Sequence, residues 1–573
     1  MTDKIFEQIT DFFKNSKNEF SIGLQNFQGI REYTTIPLAP LTLVYGQNSA
    51  GKSTIHDAQQ FIYHFFSGKW NNKEATQYLD RWANHHRISK PLTKGYLGEP
   101  EDVVLSMSSC VDNLSFNEWA ENYYQNRTYV SGSAHMFFNY SLDLLIPYRI
   151  DIHFSTKLGE WRVRQISLYL GGQLCLEIIT DDFIKHEDEA GEYSLLKLNK
   201  NHLVYSFLNS YFKDGLEQFE LLYSIDRGFK EEEWFLFDTL DVRYELEWRR
   251  LIDWYECDQL STSEFNVINI SDELLDFRTF ILSLLYAPTF GIEREDNFNS
   301  VPPLRPIPSK ESAIFRFKPS DFEHEVGWRA VAKLVLQKII RGDNAEDNNV
   351  EDSSYLGIIN RFLSHSEFLN TDYELTGECL FMVSVDDLNN FHEKEGDLFD
   401  KLRGRHVEVH LKLKNKSNGS IVEIEDVGVG ISQIIPVLIA ITRPQDLQYD
   451  GCKVFIQQPE LHLHPKLQSQ LADTFVVSVN QQLELNAKPC FIIESHSEHF
   501  LLRLLRRIRE TNKSDIKNKL FGLSSEQVSV LYVDKLKDGS SKIFPLRISE
   551  DGEFIDRWPN GFFTERDGEL FDE

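Results

Sequence analysis

The stretch LTLVYGQNSAGKSTIHDAQQFIYHFF, Leu41 to Phe66, decides the fold. Leu41 to Tyr45 is a short apolar, β-prone run, Gly46 to Ser53 is a glycine-containing loop, and from Thr54 to Phe66 the pattern turns helical. Strand, glycine loop, helix is the order a phosphate-binding loop requires. Gly46 and Gly51 let the backbone fold tightly, so that successive N–H groups and the helix N-terminus point at phosphate oxygens. Lys52 reaches the β and γ phosphates, and Ser53 is placed to hold Mg²⁺. The candidate nucleotide-binding residues are therefore Gly46, Gln47, Asn48, Ser49, Ala50, Gly51, Lys52, Ser53 and Thr54. A glycine turn that holds no nucleotide is the competing reading.

Working outward, 573 residues are too many for one hydrophobic core, so two or more lobes are expected, and 41% hydrophobic content is ample to fill them. Lys and Arg total 60 against 89 Asp and Glu, a net charge of −29, which disfavours a chain that coats nucleic acid by bulk charge. The six cysteines are scattered without a CxxC pair, so neither a disulfide framework nor a zinc ribbon is indicated. The N-terminus mixes charge with aromatics, and the longest apolar run, near Ile434 to Ile441, is too short to span a bilayer. A cytoplasmic protein with no membrane partner is expected.

Phe20 to Ile30 reads as a strand that precedes the phosphate loop. In the middle region Tyr148, Ile150, Ile152 and Phe154 alternate with polar neighbours, and Gly171-Gly172 separates two further apolar runs, predicting an antiparallel meander. Lys185 to Glu192 and Glu231 to Asp258 are acidic; the aromatics of the second stretch predict packed helices, with a base-stacking platform as the alternative. Gly342 to Ser354 reads as an acidic linker. Val407, Val409, Leu411 and Leu413, then Asn418-Gly419, then Ile421 to Ile424, read as a hairpin. Val454 to Ile456 and Phe491 to Ile493 are short buried-type strands, each followed by a polar cluster and a helix, as in a mostly parallel α/β sheet. The expected division is 1–70 and 401–573 as two parts of one nucleotide head, with 71–400 inserted between them.

Four segments, GQNSAGKS (Gly46 to Ser53), DVGVGISQ (Asp426 to Gln433), VFIQQPELHLHP (Val454 to Pro465) and FIIESHSEHFLLRLLRRI (Phe491 to Ile508), resemble the P-loop, signature, Walker B with D-loop, and switch-histidine segments of ABC-type ATPases of the RecF/SMC/OLD group. The ELHLHP and ESHSEH wording, with the tail WPNGFFTERDGELF from Trp558 to Phe571, is closer still to a bacterial ATPase family of unknown function and its kin, the PtuA-like AAA ATPases of Septu-type antiphage systems. The resemblance covers roughly residues 20 to 65 and 400 to 573. It implies an α/β fold: an ABC-type P-loop NTPase head with a mixed, mostly parallel sheet and an antiparallel β subdomain, carrying a large α+β insertion.

The resemblance also implies two heads sandwiching two ATP molecules with Mg²⁺, as a homodimer or higher even oligomer. Gly428, Gly430 and Ser432 would approach the γ-phosphate held by the partner's loop, and His496 would sense that phosphate. A glycine turn capping a buried helix and a strand-end histidine are the plain alternatives. The acid for the Mg²⁺ water shell and the glutamate that polarises water are replaced here by Gln457 and Gln458. Glutamine orients water yet takes no proton, so slow turnover is expected unless Glu460 or Glu494 supplies the carboxylate. The candidate catalytic residues are Gln458, Glu460 and His496, with Ser53 and Gln457 at Mg²⁺. A separate reading takes His462, His464, His496 and His499 as ligands of a metal ion, without a Cys or acid to complete the set. Arg503, Arg506, Arg507 and Arg509 form either a solvated basic face or a nucleic-acid patch.

Three functions follow from this. The first is a slowly hydrolysing dimeric switch that controls a separate effector, a nuclease of the HNH kind, in antiphage defence, with nucleic acid reached through that partner. The second is a repair or recombination ATPase that itself binds DNA, and the third is a nucleotide-binding scaffold without turnover.

Overall fold

In the computed structural model, the described residues are 2–16, 20–66, 102–111, 145–157, 160–179, 194–212, 234–239, 298–305, 314–317, 355–381, 407–442, 453–484, 489–513 and 518–559, with a few single positions between them. The acidic stretches 185–192 and 342–354 and most of the tail after Trp558 lie outside these. The chain divides into two compact units, one of Met1–Leu38, Gln47–Glu295 and Val533–Phe544, the other of Ala39–Gly46, Asp296–Tyr532 and Pro545–Glu573. It opens with α1 (Thr2–Lys14), β1 (Ser21–Gln25), β2 (Thr34–Pro37), β3 (Leu41–Gly46) and α2 (Ser53–Phe66).

The first unit is built on an eight-stranded antiparallel sheet in the order β2-β1-β4-β5-β6-β7-β8-β9. Its later strands are β4 (Val103–Val111), β5 (Ile146–Lys157), β6 (Glu160–Leu170), β7 (Gln173–Ile179), β8 (Ser194–Asn199) and β9 (Trp234–Thr239). From β4 onward neighbours in sequence are neighbours in the sheet, which is the meander that alternation in β5 predicts. Tyr148, Ile150, Ile152 and Phe154 are all buried on one face. Gly171 and Gly172 join β6 to β7 with φ of 58° and 80°, the left-handed pair that a two-residue hairpin turn demands. The rings of Phe61 and Phe65 on α2 stand edge-on to Phe154 at 5.4 and 5.5 Å between centroids, fixing the helix on the sheet. Helix α3 (Leu203–Tyr211) follows β8, with the buried His202 as its N-cap; burial lowers its imidazole to about 4.

One expectation is corrected here. The aromatic run Trp234 to Phe237 is not helical: Trp234–Thr239 forms β9 and extends the sheet beyond β8, with Leu196 opposite Phe237. Four consecutive bulky residues carry no helical period, and an otherwise open sheet edge rewards β-prone side chains with a ladder of backbone bonds.

The second unit holds the nucleotide-type sheet. Its elements are β10 (Phe298–Val301), β11 (Ile314–Phe317), α4 (Tyr355–Ser364), β12 (Tyr373–Phe381), β13 (Val407–Asn415), β14 (Ile421–Glu423), α5 (Val429–Thr442), β15 (Lys453–Gln457), α6 (Pro465–Glu484), β16 (Cys490–Glu494) and α7 (Glu498–Asn512); β17 (Val528–Lys535) and β18 (Ser541–Leu546) follow. The sheet order is β10-β15-β16-β3-β17-β18, and β10, β15, β16 and β3 run parallel. Leu41, Leu43, Val44, Val454, Ile456, Phe491, Ile492 and Ile493 are fully buried, the continuous apolar pattern of strands covered on both faces. Phe475 of α6 meets Phe491 and Phe500 edge-on, joining α6 to the sheet and to α7. A smaller antiparallel sheet, β11-β13-β12 with β14 on β13, contains the expected hairpin, turned at Gly419 with φ of 73°. The mixed α/β class with a parallel core and an antiparallel β portion is the one the sequence predicts.

Candidate nucleotide site

The phosphate loop leaves β3 at Gly46. Gly46 (φ 146°), Ser49 (φ 61°) and Gly51 (φ 98°) take positive φ, so the backbone reverses repeatedly within six residues. Gln47, Asn48 and Ser49 are exposed, whereas Ala50 is buried. A side chain at Gly51 would also meet Ser541, whose Oγ would lie 2.8 Å from its Cβ. Ser541 in turn donates to the carbonyl of Ala50 at 2.6 Å, bracing the loop from behind. Lys52 is 5% exposed, and its ammonium donates to the carbonyl of Gln47 at 3.0 Å, folding back over the loop. Phosphate oxygens in place of that neutral acceptor would add an opposite charge on the acceptor side of a bond whose donor is already ionised. Ser53 is exposed at the first position of α2, where the helix dipole favours an anion. Thr54 differs: it is buried and donates to Gln28 Oε1 at 2.7 Å, while Gln28 Nε2 donates to Asp57. Its hydroxyl anchors α2 to the turn after β1.

Within the second unit, β15, β16 and β3 end side by side at one carboxyl edge. Gln457 ends β15, and its Nε2 donates to Glu494 Oε2 at 3.3 Å at the end of the neighbouring strand. Gln458 has φ of 45°, a left-handed conformation that costs a non-glycine residue about 1–3 kcal/mol. Its N–H donates to the Glu494 carbonyl at 2.7 Å, and Ser495 N–H donates to the Val44 carbonyl at 3.1 Å, so the three strand ends are laced together. Glu460 is 7% exposed; its Oε1 accepts the N–H of His496 at 2.8 Å, while Oε2 is buried without a hydrogen-bond partner. Burial pushes the Glu460 carboxyl up, opposed by the His496 N–H and the positive charge of Arg305. Tyr45 is fully buried; burial, then the negative charge of Glu460, raises its hydroxyl, which donates to the Ser497 carbonyl at 3.1 Å. His496 is exposed at this edge.

Arg305 meets this edge without any motif in the sequence to mark it. It follows β10 in the run VPPLRPIP and is 4% exposed. Its guanidinium donates to the carbonyls of Gln433, Gln457 and Gln458. Burial lowers it to about 10, opposed by Glu460. The one signal available was a lone charge in an apolar, proline-rich run directly after a strand-like segment.

The signature segment opens α5. Gly428 is exposed and has open space where a Cβ would stand, whereas a Cβ at Gly430 would lie 2.9 Å from the His462 carbonyl. Ser432 is only 1% exposed and its hydroxyl donates to the Val429 carbonyl at 3.0 Å, so the residue presented outward beside Gly428 is Val429, at 46% exposure. His462, His464 and His499 are exposed, and among the described residues no group of three or more His, Cys, Asp or Glu is placed to hold a metal ion. The arginines of α7 face acids: Arg503 and Arg507 converge on the buried Asp473 at 2.6 and 2.7 Å, Arg506 meets Glu510, and Arg509 meets Glu553. Among the described residues no helix is long and apolar enough to cross a membrane.

Mg²⁺ accompanies ATP in such sites, held by hard oxygen donors and largely by the phosphates themselves. The loop offers one donor of that kind, the exposed hydroxyl of Ser53 at the start of α2.

Residues 336–501 match the family model of an AAA ATPase domain, and residues 523–572 match that of a protein family of unknown function, DUF3696. No curated protein matches the chain in sequence. Among solved structures, an SMC head bound to the C-winged helix domain of ScpA is similar at 12% identity and a TM-score of 0.32, covering 93% of this chain and 99% of that one. The head with an extended coiled coil from Pyrococcus furiosus, bound to the C-terminal domain of ScpA, gives 12% and 0.32 over 93% and 97%. The SMC head domain from Thermotoga maritima gives 8% and 0.31 over 93% and 100%. Superpositions this loose carry no conclusion about function or assembly. The AAA ATPase match covers α4 to the start of α7, the segment that holds the signature-like and strand-end residues.

Proposed function

We propose that this chain is an ABC-type ATPase that binds ATP with Mg²⁺, hydrolyses it slowly, and closes head-to-head on a second copy to switch a separate effector protein. The observation that carries the reading is the phosphate loop: positive φ at Gly46, Ser49 and Gly51, an exposed mouth at Gln47 to Ser49, and Lys52 folded over it. Amide groups of Gln47 to Lys52 bind the phosphates, Lys52 meets the β and γ oxygens, and Ser53 holds the ion, which would neutralise charge on the phosphates.

The chemistry is assigned to the strand ends. Glu494, next to Gln457, takes the role of polarising the attacking water, and Gln458 orients that water without accepting its proton. Glu460 is a positioning residue that fixes the His496 peptide, leaving the exposed imidazole to meet the γ-phosphate. Turnover stays slow because the residue aligned with the usual base is an amide. Gly428 and Val429 supply the surface that meets the second copy, since a Cβ at Gly428 has none of the described residues within 4 Å and Val429 is exposed.

Resemblance to the PtuA-like ATPases supports an HNH-type nuclease as the effector and antiphage defence as the setting. The net charge of −29 and the acid-paired arginines of α7 speak against direct DNA binding. The test is calorimetry with ATP and Mg²⁺, then light scattering. The wild type is expected to bind ATP and to double in mass with it, and Val429→Arg to bind ATP yet remain single. An ATP-independent mass in both would sink the closing-heads reading. DNA cleavage that emerges only when a neighbouring gene product is added would support the effector role, whereas a salt-dependent DNA shift by the chain alone would favour a repair ATPase.

A further inference from the structure

The turn that carries Gln458 is gripped from a side that no sequence motif marks. Arg305 Nη2 donates to the carbonyls of Gln457 at 2.8 Å and Gln458 at 3.1 Å, and its Nη1 donates to the carbonyl of Gln433 at 3.2 Å. Gln433 grips back: its Oε1 accepts the Arg305 N–H at 3.3 Å, and its Nε2 donates to the Arg305 carbonyl. Gln433 is the residue after Ser432, in the first turns of α5, so a single side chain joins the signature helix to the end of β15.

We propose that Arg305 is a positioning residue for ATP hydrolysis, locking the opening of α5 to the left-handed Gln458 peptide so that the helix and the catalytic turn shift as one body. The inference rests on the ATPase reading above. Three observations carry it. Gln458 holds an unfavourable φ, and both its backbone groups are tied, the N–H to Glu494 and the C=O to Arg305. A strained conformation persists only when its surroundings over-determine it, and Arg305 supplies one of those restraints. The guanidinium is buried against neutral carbonyls, with Glu460 acting on it through space and its Nε left unpartnered. A methionine would fill that volume without the cost of desolvating a charge, so what the arginine adds is the rigid fork that fixes carbonyls on two elements at once. Pro436 also lacks the N–H that would bond the Ser432 carbonyl, so the start of α5 has fewer helical bonds of its own.

The experiment uses the full chain, with nucleotide affinity from a fluorescent ATP analogue, single-turnover phosphate release, and hydrogen exchange over residues 428–436 and 457–463. Arg305→Met is expected to leave affinity within about twofold and to slow phosphate release on the order of tenfold to a hundredfold, the scale of a small misplacement of catalytic groups. ATP should slow exchange in both segments of the wild type but only in 428–436 of the variant. Millimolar guanidinium should partly restore the rate of Arg305→Ala, whose truncation leaves room for it, while leaving the wild type unchanged. Arg305→Lys, which keeps charge and bulk but offers no fork, covers the case in which the methionine variant does not fold, and should show the same loss of protection at 457–463. Full rate with protection in both segments overturns the proposal, as does an equal loss of affinity and rate, which would make Arg305 a general structural prop. If the wild type binds ATP but releases no phosphate, the exchange pattern alone decides; if it binds no ATP, the ATPase reading itself falls.

Discussion

The phosphate loop and the turn after β15, to which the proposed function gives binding and chemistry, are built by opposite rules. The loop is local: eight consecutive residues, Gly46 to Ser53, hold its glycines, its lysine and its hydroxyl, and its mouth at Gln47 to Ser49 is exposed. The catalytic turn is assembled from afar, with Gln457 and Gln458 held by Glu494 on the next strand and by Arg305 more than a hundred positions earlier in the chain. Its usual carboxylates are amides, and the acids it does have, Glu460 and Glu494, are each 7% exposed. The proposed function therefore expects binding and chemistry to be separable: the first is written into one segment, the second depends on tertiary support.

The largest effect should come from breaking the loop. Lys52→Ala removes charge-assisted bonds to two phosphates, and ATP affinity measured by calorimetry is expected to fall about 100-fold or more, at roughly 1.4 kcal/mol per tenfold. Unchanged affinity would remove the phosphate-loop assignment and the contrast with it. Glu494→Gln tests the other region: single-turnover phosphate release should drop about 100-fold, the lower range for a lost general base, with affinity within twofold. If affinity falls as far as rate, binding and chemistry are not separable. Gln458→Glu approaches the same point from the opposite direction and should accelerate phosphate release about tenfold by restoring a proton acceptor at the aligned position. A slower variant would mean that the left-handed turn, not the missing carboxylate, limits turnover.

What was legible follows the same division. The phosphate loop, the Gly171-Gly172 turn and the Asn418-Gly419 hairpin were readable because their causes are local: positive φ and strand alternation leave marks within a few residues. The turn after β15 is legible only as far as its motif, which marks Gln457 and Gln458 but not the Arg305 fork that holds them. Ser432 looked like an outward hydroxyl, yet α5 is apolar nearly all round, and such a helix gives no stripe to say which residues turn inward. Thr54 belongs to the loop pattern, but its hydroxyl is engaged by Gln28, a residue that no spacing rule links to it. Trp234–Thr239 was misread as helical because the reward for becoming β9 lies in the edge of β8, which the local sequence does not contain.

The smallest expected effect concerns Glu460, and it tests whether the acids of the catalytic edge are held away from water. Burial raises its carboxyl above the ordinary value, so the folded state retains a proton that the unfolded chain has already released. The stability this contributes is complete below the ordinary carboxylate range and is lost as pH rises through the raised folded value. Glu460→Gln keeps the shape of the protonated acid, with an oxygen to accept the His496 N–H and an amide to face the unpartnered side, but does not titrate. Its apparent Tm should therefore gain on the wild type as pH rises from about 5 to about 8, by about a degree, the scale on which a fraction of a kcal/mol moves a domain of this size. A constant difference would mean that Glu460 has water or an unseen donor at Oε2. A difference that runs the other way would mean that the His496 N–H and Arg305 outweigh burial, making Glu460 a true carboxylate at neutral pH and a rival to Glu494 as the base.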